Sequence, residues 1–133
     1  MRRIYEALNV PDPDALVTLC DASIEIHSVF AAVGGAVYRG HEGVRRWQAD
    51  LEESWGGKFR VETEAYFDLD DRTVVFGVLH GRGEQSGVEV AMPATGVARW
   101  RDGLCVFHKA YASREDALED LGVSEDALEP IDP

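Results

Sequence analysis

Four histidines, His27, His41, His80 and His108, are the side chains in this sequence best suited to acid–base chemistry near neutral pH. Together with Glu25, which shares a strand face with His27, they are also donors of the kind a metal takes. Their spacing shows no convergence of three ligands, so no metal site and no cofactor are expected. The two cysteines, Cys20 and Cys105, lack metal-binding spacing and read as buried thiols in place of a disulfide. The stretch YRGHEGVRRW, residues 38–47, brings His41, Arg45 and Arg46 to a helix start. Such a start can hold an anion on its free N–H groups. The plainer reading, a solvated helix start with Glu42 set favourably against the dipole, is preferred.

The elements that must position these groups belong to one domain. A chain of 133 residues buries roughly two-thirds of its unfolded surface, enough for a core without staples. The apolar share of 45% agrees with a globular protein. The net charge of −12 argues against nucleic acid and membrane surfaces as partners, because binding to both rests on Lys and Arg. No stretch approaches the ~20 apolar residues of a membrane helix, and Met1-Arg2-Arg3 leads into an amphipathic segment unlike a signal peptide. A cytoplasmic location is expected. Glu115, Asp116, Glu119, Asp120, Glu125, Asp126, Glu129 and Asp132 crowd the C-terminal end. They read as a solvated helix and tail, with a domain over 1–122 and an acidic tail over 123–133.

Two short helices open the chain, broken at Asn9-Val10-Pro11; Asp12-Pro13 caps and starts the second. Residues 23–29 alternate as a strand, and an Ala/Gly loop leads to Tyr38. A longer helix follows, with Val44, Trp47, Gln48, Leu51 and Trp55 on one face and Gly56-Gly57 as its stop. The period then changes to two. Strands are predicted over 59–67, 73–80, 88–101 and 104–112, with a turn at 68–71, a glycine-rich turn at 81–87 and a hairpin at Arg101-Asp102-Gly103. Pro93 and Gly96 mark a bulge or an edge in the third of these strands. Ser113 opens a last helix carrying Leu118 and Leu121, which Gly122 ends. Early helices and a late meander make an α+β domain.

The pieces YEALN-x-PDPDALVTL, DASIEIHS, YRGHEGVRRW, GRGEQSGVEV and YASREDALEDLG, in that order, resemble the SnoaL-like branch of the nuclear transport factor 2-like superfamily. The resemblance runs to about Gly122. It implies a cone-shaped, strongly curved antiparallel sheet of the cystatin-like type, with three N-terminal helices over its concave face and an apolar pocket between them. Ketosteroid isomerases, limonene epoxide hydrolases, polyketide cyclases and non-catalytic binding domains share that fold, so fold alone does not give function.

Carried over position by position, the isomerase tyrosine falls at Ile4, with Tyr5 adjacent, and the two aspartates at Ile26 and Gly96. The epoxide hydrolase last-strand aspartate falls at Ala110, and its Arg-x-Asp pair has only Val78 and His80 nearby. Neither acid set is kept, nor is the Asp/His pair of the cyclases. With the inward phase taken from the family, Val74, Phe76, Val78 and His80 point into the pocket from one strand. Val88, Val90, Met92, Ala94, Gly96, Ala98 and Trp100 do so from the next, and Val106, His108 and Ala110 from the last. Ile26, Ser28 and Tyr5 join them, as do Trp47, Leu51 and Trp55 from the long helix. His108 and His80 are the candidate catalytic residues, as acid/base or orienting groups in an apolar pocket.

Two functions follow from this reading. One is binding of a small apolar, ring-containing molecule, with proton-transfer chemistry of the isomerase, cyclase or lyase type. The other is a non-catalytic ligand-binding or dimerisation domain. A homodimer is expected from Val97, Phe107 and Tyr111 on the outer sheet face, which related folds bury against a second copy.

Overall fold

The structure, a computed structural model, describes residues 1–9, 12–30, 36–55, 59–69, 72–82, 89–128 and 130–131. The break at Val10-Pro11, the Ala/Gly loop over 31–35, the Gly56-Gly57 stop, Asp70-Asp71, the glycine-rich turn beyond Arg82 and the inward phase of Val88 lie outside them.

Helices α1 (Arg2–Asn9) and α2 (Pro13–Thr18) lead into β1 (Cys20–Ser28) and a short β2 (Ala36–Arg39). Helix α3 (Gly40–Trp55) precedes β3 (Arg60–Leu69), β4 (Arg72–Arg82), β5 (Glu89–Arg101) and β6 (Leu104–Tyr111). Helix α4 (Arg114–Leu121), a 3-10 turn (Glu125–Ala127) and β7 (Pro130–Ile131) complete the chain. The strands form one curved, unclosed sheet in the order β2-β1-β6-β5-β4-β3-β7. All neighbours are antiparallel except β1 and β6, which run parallel. The sheet is therefore mixed, and β2 is a strand within what the sequence reads as a loop.

The helix ends form as their residues dictate. Asp12 accepts the amide of Ala15 at 3.0 Å with Pro13 in the first turn, and Ser113 accepts that of Asp116 at 3.1 Å. Gly122 closes α4 at a φ of +70°, a left-handed position suited to glycine.

The core lies in two layers. Ile4 and Leu8 of α1, Leu16 of α2 and Val44, Trp47 and Leu51 of α3 pack on Ile24, Ile26, Val75, Leu79 and Ala98 of the concave face. On the other face Phe67, Val74, Phe76, Val97 and Tyr111 pack beneath Ala117 and Leu128. Helix α4 is fastened there by Asp120, which accepts from Lys109 at 3.0 Å and from the Tyr111 hydroxyl at 2.8 Å. The Arg114 guanidinium lies 4.3 Å over the Phe76 ring.

This second layer bears on three expectations. Of the three residues behind the expected homodimer, Val97 and Tyr111 are covered by the chain's own α4, and Phe107 is outside that layer. Residues 123–133 do not form a detached tail as far as they are described, because Leu128 is buried and β7 pairs with β3. The phase of β4 is opposite to the one expected: Val75 and Leu79 face the helices, while Val74 and Phe76 lie under α4.

Two register shifts account for further differences. Between Thr63 and Ala65 a bulge turns Tyr66 toward the helices and Ala65 and Phe67 away from them. Between Arg99 and Trp100, paired to Phe107 and Cys105, the extra residue is Val106, so Cys105 takes the core place expected for it. No shift occurs at Pro93 or Gly96, but Pro93 has β4 on one side only, since β5 pairs with β6 from Thr95 onward. A missing N–H is tolerated at such an edge.

Candidate functional site

The opening stretch of chemical interest, residues 38–47, is occupied by structural bonds. His41 Nε2 lies 2.9 Å from the Cys20 carbonyl, and Arg45 pairs with Asp14 at 2.7 Å. The Tyr38 hydroxyl donates to Asp50 at 2.6 Å. These contacts tie α3 to α2, β1 and β2 and leave the segment a well-fastened helix start. His27 sits beside Glu25 at 2.6 Å and packs on Phe107. Among the described residues no group of three His, Cys, Asp or Glu side chains converges as a metal site. Cys20 and Cys105 are free, buried thiols on paired positions of β1 and β6.

His108 behaves differently. The parallel pairing sets it beside Ile26, and the antiparallel pairing sets it beside Ala98, both core residues. The residue is 3% exposed. Its Nε2 lies 3.3 Å from the Tyr5 hydroxyl, and its ring centroid lies 5.3 Å from that of Trp47. Gly96 makes room for this contact: a Cβ built there would run into the Tyr5 hydroxyl. Glycine is required at this position for space alone, since the backbone is an ordinary strand.

Tyr5 and His108 stand at one wall of a small cavity of about 30 Å³. Of the residues expected in the pocket, Tyr5, Ser28, Trp47, Leu51, Ala94, Gly96, His108 and Ala110 line it. Leu8, Phe30, Phe59, Val61, Leu79 and Thr95 line it as well and escaped the sequence reading. Leu8 follows Tyr5 by three residues, close to one turn of an amphipathic helix, and so shares its face; Leu79 goes to the other side with the phase expected for β4.

The other expected residues lie elsewhere. Ile26 is in the core beside His108 but does not line the cavity. Trp55 donates its indole N–H to the Phe30 carbonyl at 2.9 Å, and Trp100 donates to Thr73 at 3.1 Å. Met92 packs against the core edge. Phe76, Val78 and His80 are on the opposite sheet face, where His80 stands 3.9 Å from the Glu62 carboxylate. His80 therefore cannot share a ligand with His108.

Electrostatics make the cavity neutral. Burial pushes the His108 pKa down to about 4, so the imidazole is uncharged at neutral pH. Burial holds the Tyr5 phenol well above its ordinary range, so it keeps its proton. Ser28 is engaged by the Phe30 amide at 3.2 Å. His108 Nδ1, Trp47 Nε1 and Thr95 Oγ1 are buried without a hydrogen-bond partner among the described residues. Such groups are costly unless something satisfies them.

Residues 1–108 match the SnoaL-like domain family. The chain belongs to that family. The match ends within β6, and α4 and the C-terminal segment follow it. Solved structures agree on the fold. A hypothetical protein with a ketosteroid isomerase-like fold from Catenulispora acidiphila, in complex with trimethylamine, is 21% identical with a TM-score of 0.75, over 94% of this chain and 93% of that one. TerC, co-crystallised with polyporic acid, is 19% identical with a TM-score of 0.73, over 90% of this chain and 92% of that one. A protein of unknown function with a cystatin-like fold from Xanthomonas campestris is 16% identical with a TM-score of 0.73, over 86% and 88% of the two chains. No curated protein matches the sequence. No helix among the described residues is long and apolar enough to cross a membrane.

Proposed function

We propose that this SnoaL-like domain binds a small, neutral, ring-containing compound bearing a carbonyl or hydroxyl oxygen, and that Tyr5 and His108 move a proton on it. The observation that carries this reading is the 3.3 Å contact between the Tyr5 hydroxyl and His108 Nε2 inside an apolar cavity, with His108 Nδ1 left without a partner among the described residues. A charge-free wall disfavours ionic ligands, whose desolvation nothing in the cavity offsets. The cavity must widen from about 30 Å³ to admit a ring. The co-crystallisation of TerC with polyporic acid is in keeping with a small organic occupant of this fold.

The pair supports a relay without charge. His108 Nδ1 takes a proton from the carbon beside a ligand carbonyl. Nε2–H gives its proton to the Tyr5 oxygen, and Tyr5 gives its own to the carbonyl oxygen. One C–H, one N–H and one O–H bond break; one N–H and two O–H bonds form. The ketone becomes its enol, and His108 ends in its other tautomer.

A second reading has its own support. Ile4 stands at the tyrosine position of the isomerases and Ile26 and Gly96 at their two aspartate positions, and a neutral imidazole with a pKa of about 4 is a weak base. Binding without chemistry is the result. Deuterium exchange beside the carbonyl of 3-cyclohexen-1-one in D₂O, followed by NMR, separates the two. Exchange faster with the wild type than with Tyr5→Phe or His108→Gln supports the relay. Ligand shifts without exchange leave a binding protein, and no shifts at all remove both readings.

A further inference from the structure

The parallel junction of the sheet carries two nucleophiles that the cavity does not use. Cys20 opens β1, Cys105 stands near the start of β6, and the two are Cα partners. Both are free thiols, 5% and 1% exposed. Both belong to the core layer under the N-terminal helices, so their side chains leave the sheet on the same face. Neighbouring strands lie about 4.8 Å apart. That falls within the roughly 4.4–6.8 Å that the Cα atoms of a disulfide need.

The backbone holds the pair in this register. The Cys105 amide donates to the Leu19 carbonyl at 3.0 Å, and the Cys20 carbonyl accepts from His41 Nε2 at 2.9 Å. Beyond the pair the register shifts: β1 runs from Cys20 to Glu25 where β6 runs only from Cys105 to Phe107. Asp21 folds the extra stretch by accepting the Ser23 amide at 2.9 Å and the Ser23 hydroxyl at 2.7 Å. The two cysteines therefore close the base of a bulge in β1. They sit on the strand pair that joins β2 and β1 to the rest of the sheet.

The thiols also act on each other. The hydrogen bond between them keeps Cys20 protonated, well above the ordinary thiol range, and favours the thiolate at Cys105. One sulfur is thus the readier nucleophile and the other stands as its resolving partner.

We infer that Cys20 and Cys105 are an oxidative modification site, a dithiol that a small peroxide converts to a disulfide between β1 and β6. The Cys105 thiolate attacks one peroxide oxygen. The O–O bond breaks, and the departing hydroxide takes up the thiol's proton and leaves as water. The Cys20 sulfur then attacks the sulfenic Cys105 sulfur. The S–O bond breaks, the S–S bond forms, and a second water leaves with the Cys20 proton. Each sulfur loses one electron and each peroxide oxygen gains one. Access comes with local opening of α1 and α2, short helices packed over this layer. The product staples together the two strands that hold Ile26 beside His108.

Hydrogen peroxide tests the pair directly. The reduced protein is incubated with it in native buffer, and intact mass, thiol count after denaturation and the thermal midpoint are followed. The wild type is expected to lose two hydrogens and both thiols together and to run as one chain on a non-reducing gel. Its midpoint should rise by about 5 °C or more, because the link closes a long loop in the unfolded chain. Dithiothreitol should reverse all of this. Cys20→Ser leaves Cys105 without its resolving partner, so it is expected to add oxygen in steps, the first trapped by dimedone. Four results overturn the pair: a wild type that keeps both thiols in native buffer while losing them in urea, that adds oxygen as the variant does, that crosslinks between chains, or that melts lower when oxidised. The wild-type arm decides even if the variant fails to fold. No ligand is involved, so failure here leaves the binding reading intact.

Discussion

The Tyr5 hydroxyl reaches His108 Nε2 at 3.3 Å because Gly96, on the strand between them in space, carries no side chain. A helix residue, a strand residue and a missing Cβ together make the polar point of an otherwise apolar wall. Tyr5→Phe tests what the contact does. It keeps the ring and leaves Nε2 without a partner in a buried place. A stability loss of about 1–2 kcal/mol is expected in urea denaturation, the cost of one unmet buried polar atom. If Tyr5 is the acid of the relay, proton exchange on a bound ketone falls by about a hundredfold or more, while affinity changes little.

His108 makes stability depend on pH. Its pKa is about 4 in the folded protein against an ordinary value of 6.5, through burial. Between these values the unfolded chain binds the proton and the folded one does not. Acid therefore favours unfolding: the contribution is fully present above about pH 6.5 and is lost as pH falls toward 4. The shift corresponds to about 3 kcal/mol once both limits are passed. Urea midpoints from pH 7.5 to 4.5 should fall more steeply in the wild type than in His108→Gln. Parallel curves would mean that the imidazole is reached by water and titrates normally.

Much of this arrangement is legible in the sequence, and the failures have causes. On β5 the charges of Arg99 and Arg101 mark the outer side, so Ala94, Gly96 and Ala98 are placed inward correctly. On β4, Val74 to Leu79 is apolar on both faces because both faces are covered, one by the N-terminal helices and one by α4. Alternation then carries no information about direction, and Phe76, Val78 and His80 go to the wrong side. The bulges at Thr63/Ala65 and at Val106 move the phase by one residue with no glycine or proline to announce it. Tyr5 sits next to the family's tyrosine position, yet its partner is visible only when β6 and α1 are brought together in space.

Gly96→Ala should separate space from chemistry at the site. The added methyl group meets the Tyr5 hydroxyl and comes within 3.4 Å of His108 Nε2. Since strand backbone tolerates alanine, the whole effect comes from crowding. A loss of about 1–3 kcal/mol is expected, together with weaker ligand binding. In Tyr5→Phe the clashing oxygen is gone, so the same alanine should cost measurably less there. A double-mutant cycle in urea checks this: additive losses would show that Gly96 and Tyr5 do not meet.

Removal of residues 123–133 tests whether the acidic end is part of the domain. It takes away Leu128, 8% exposed, and Val123, both packed over Phe67, Phe76 and Val97. It also removes the pairing of β7 with β3 and the Arg114–Glu125 ion pair. The ion pair is surface-exposed and contributes little, so the expected loss is set by apolar burial, about 2 kcal/mol or more. The exposed outer face should then bind a hydrophobic dye, and it should also promote self-association, because an uncovered sheet face of this size attracts a second copy. Sedimentation of the full-length and shortened proteins at equal concentration reads both effects against each other. If the shortened protein keeps full stability and its original mass, Leu128 and β7 lie on the sheet without holding it, and the acidic end is an appendage after all.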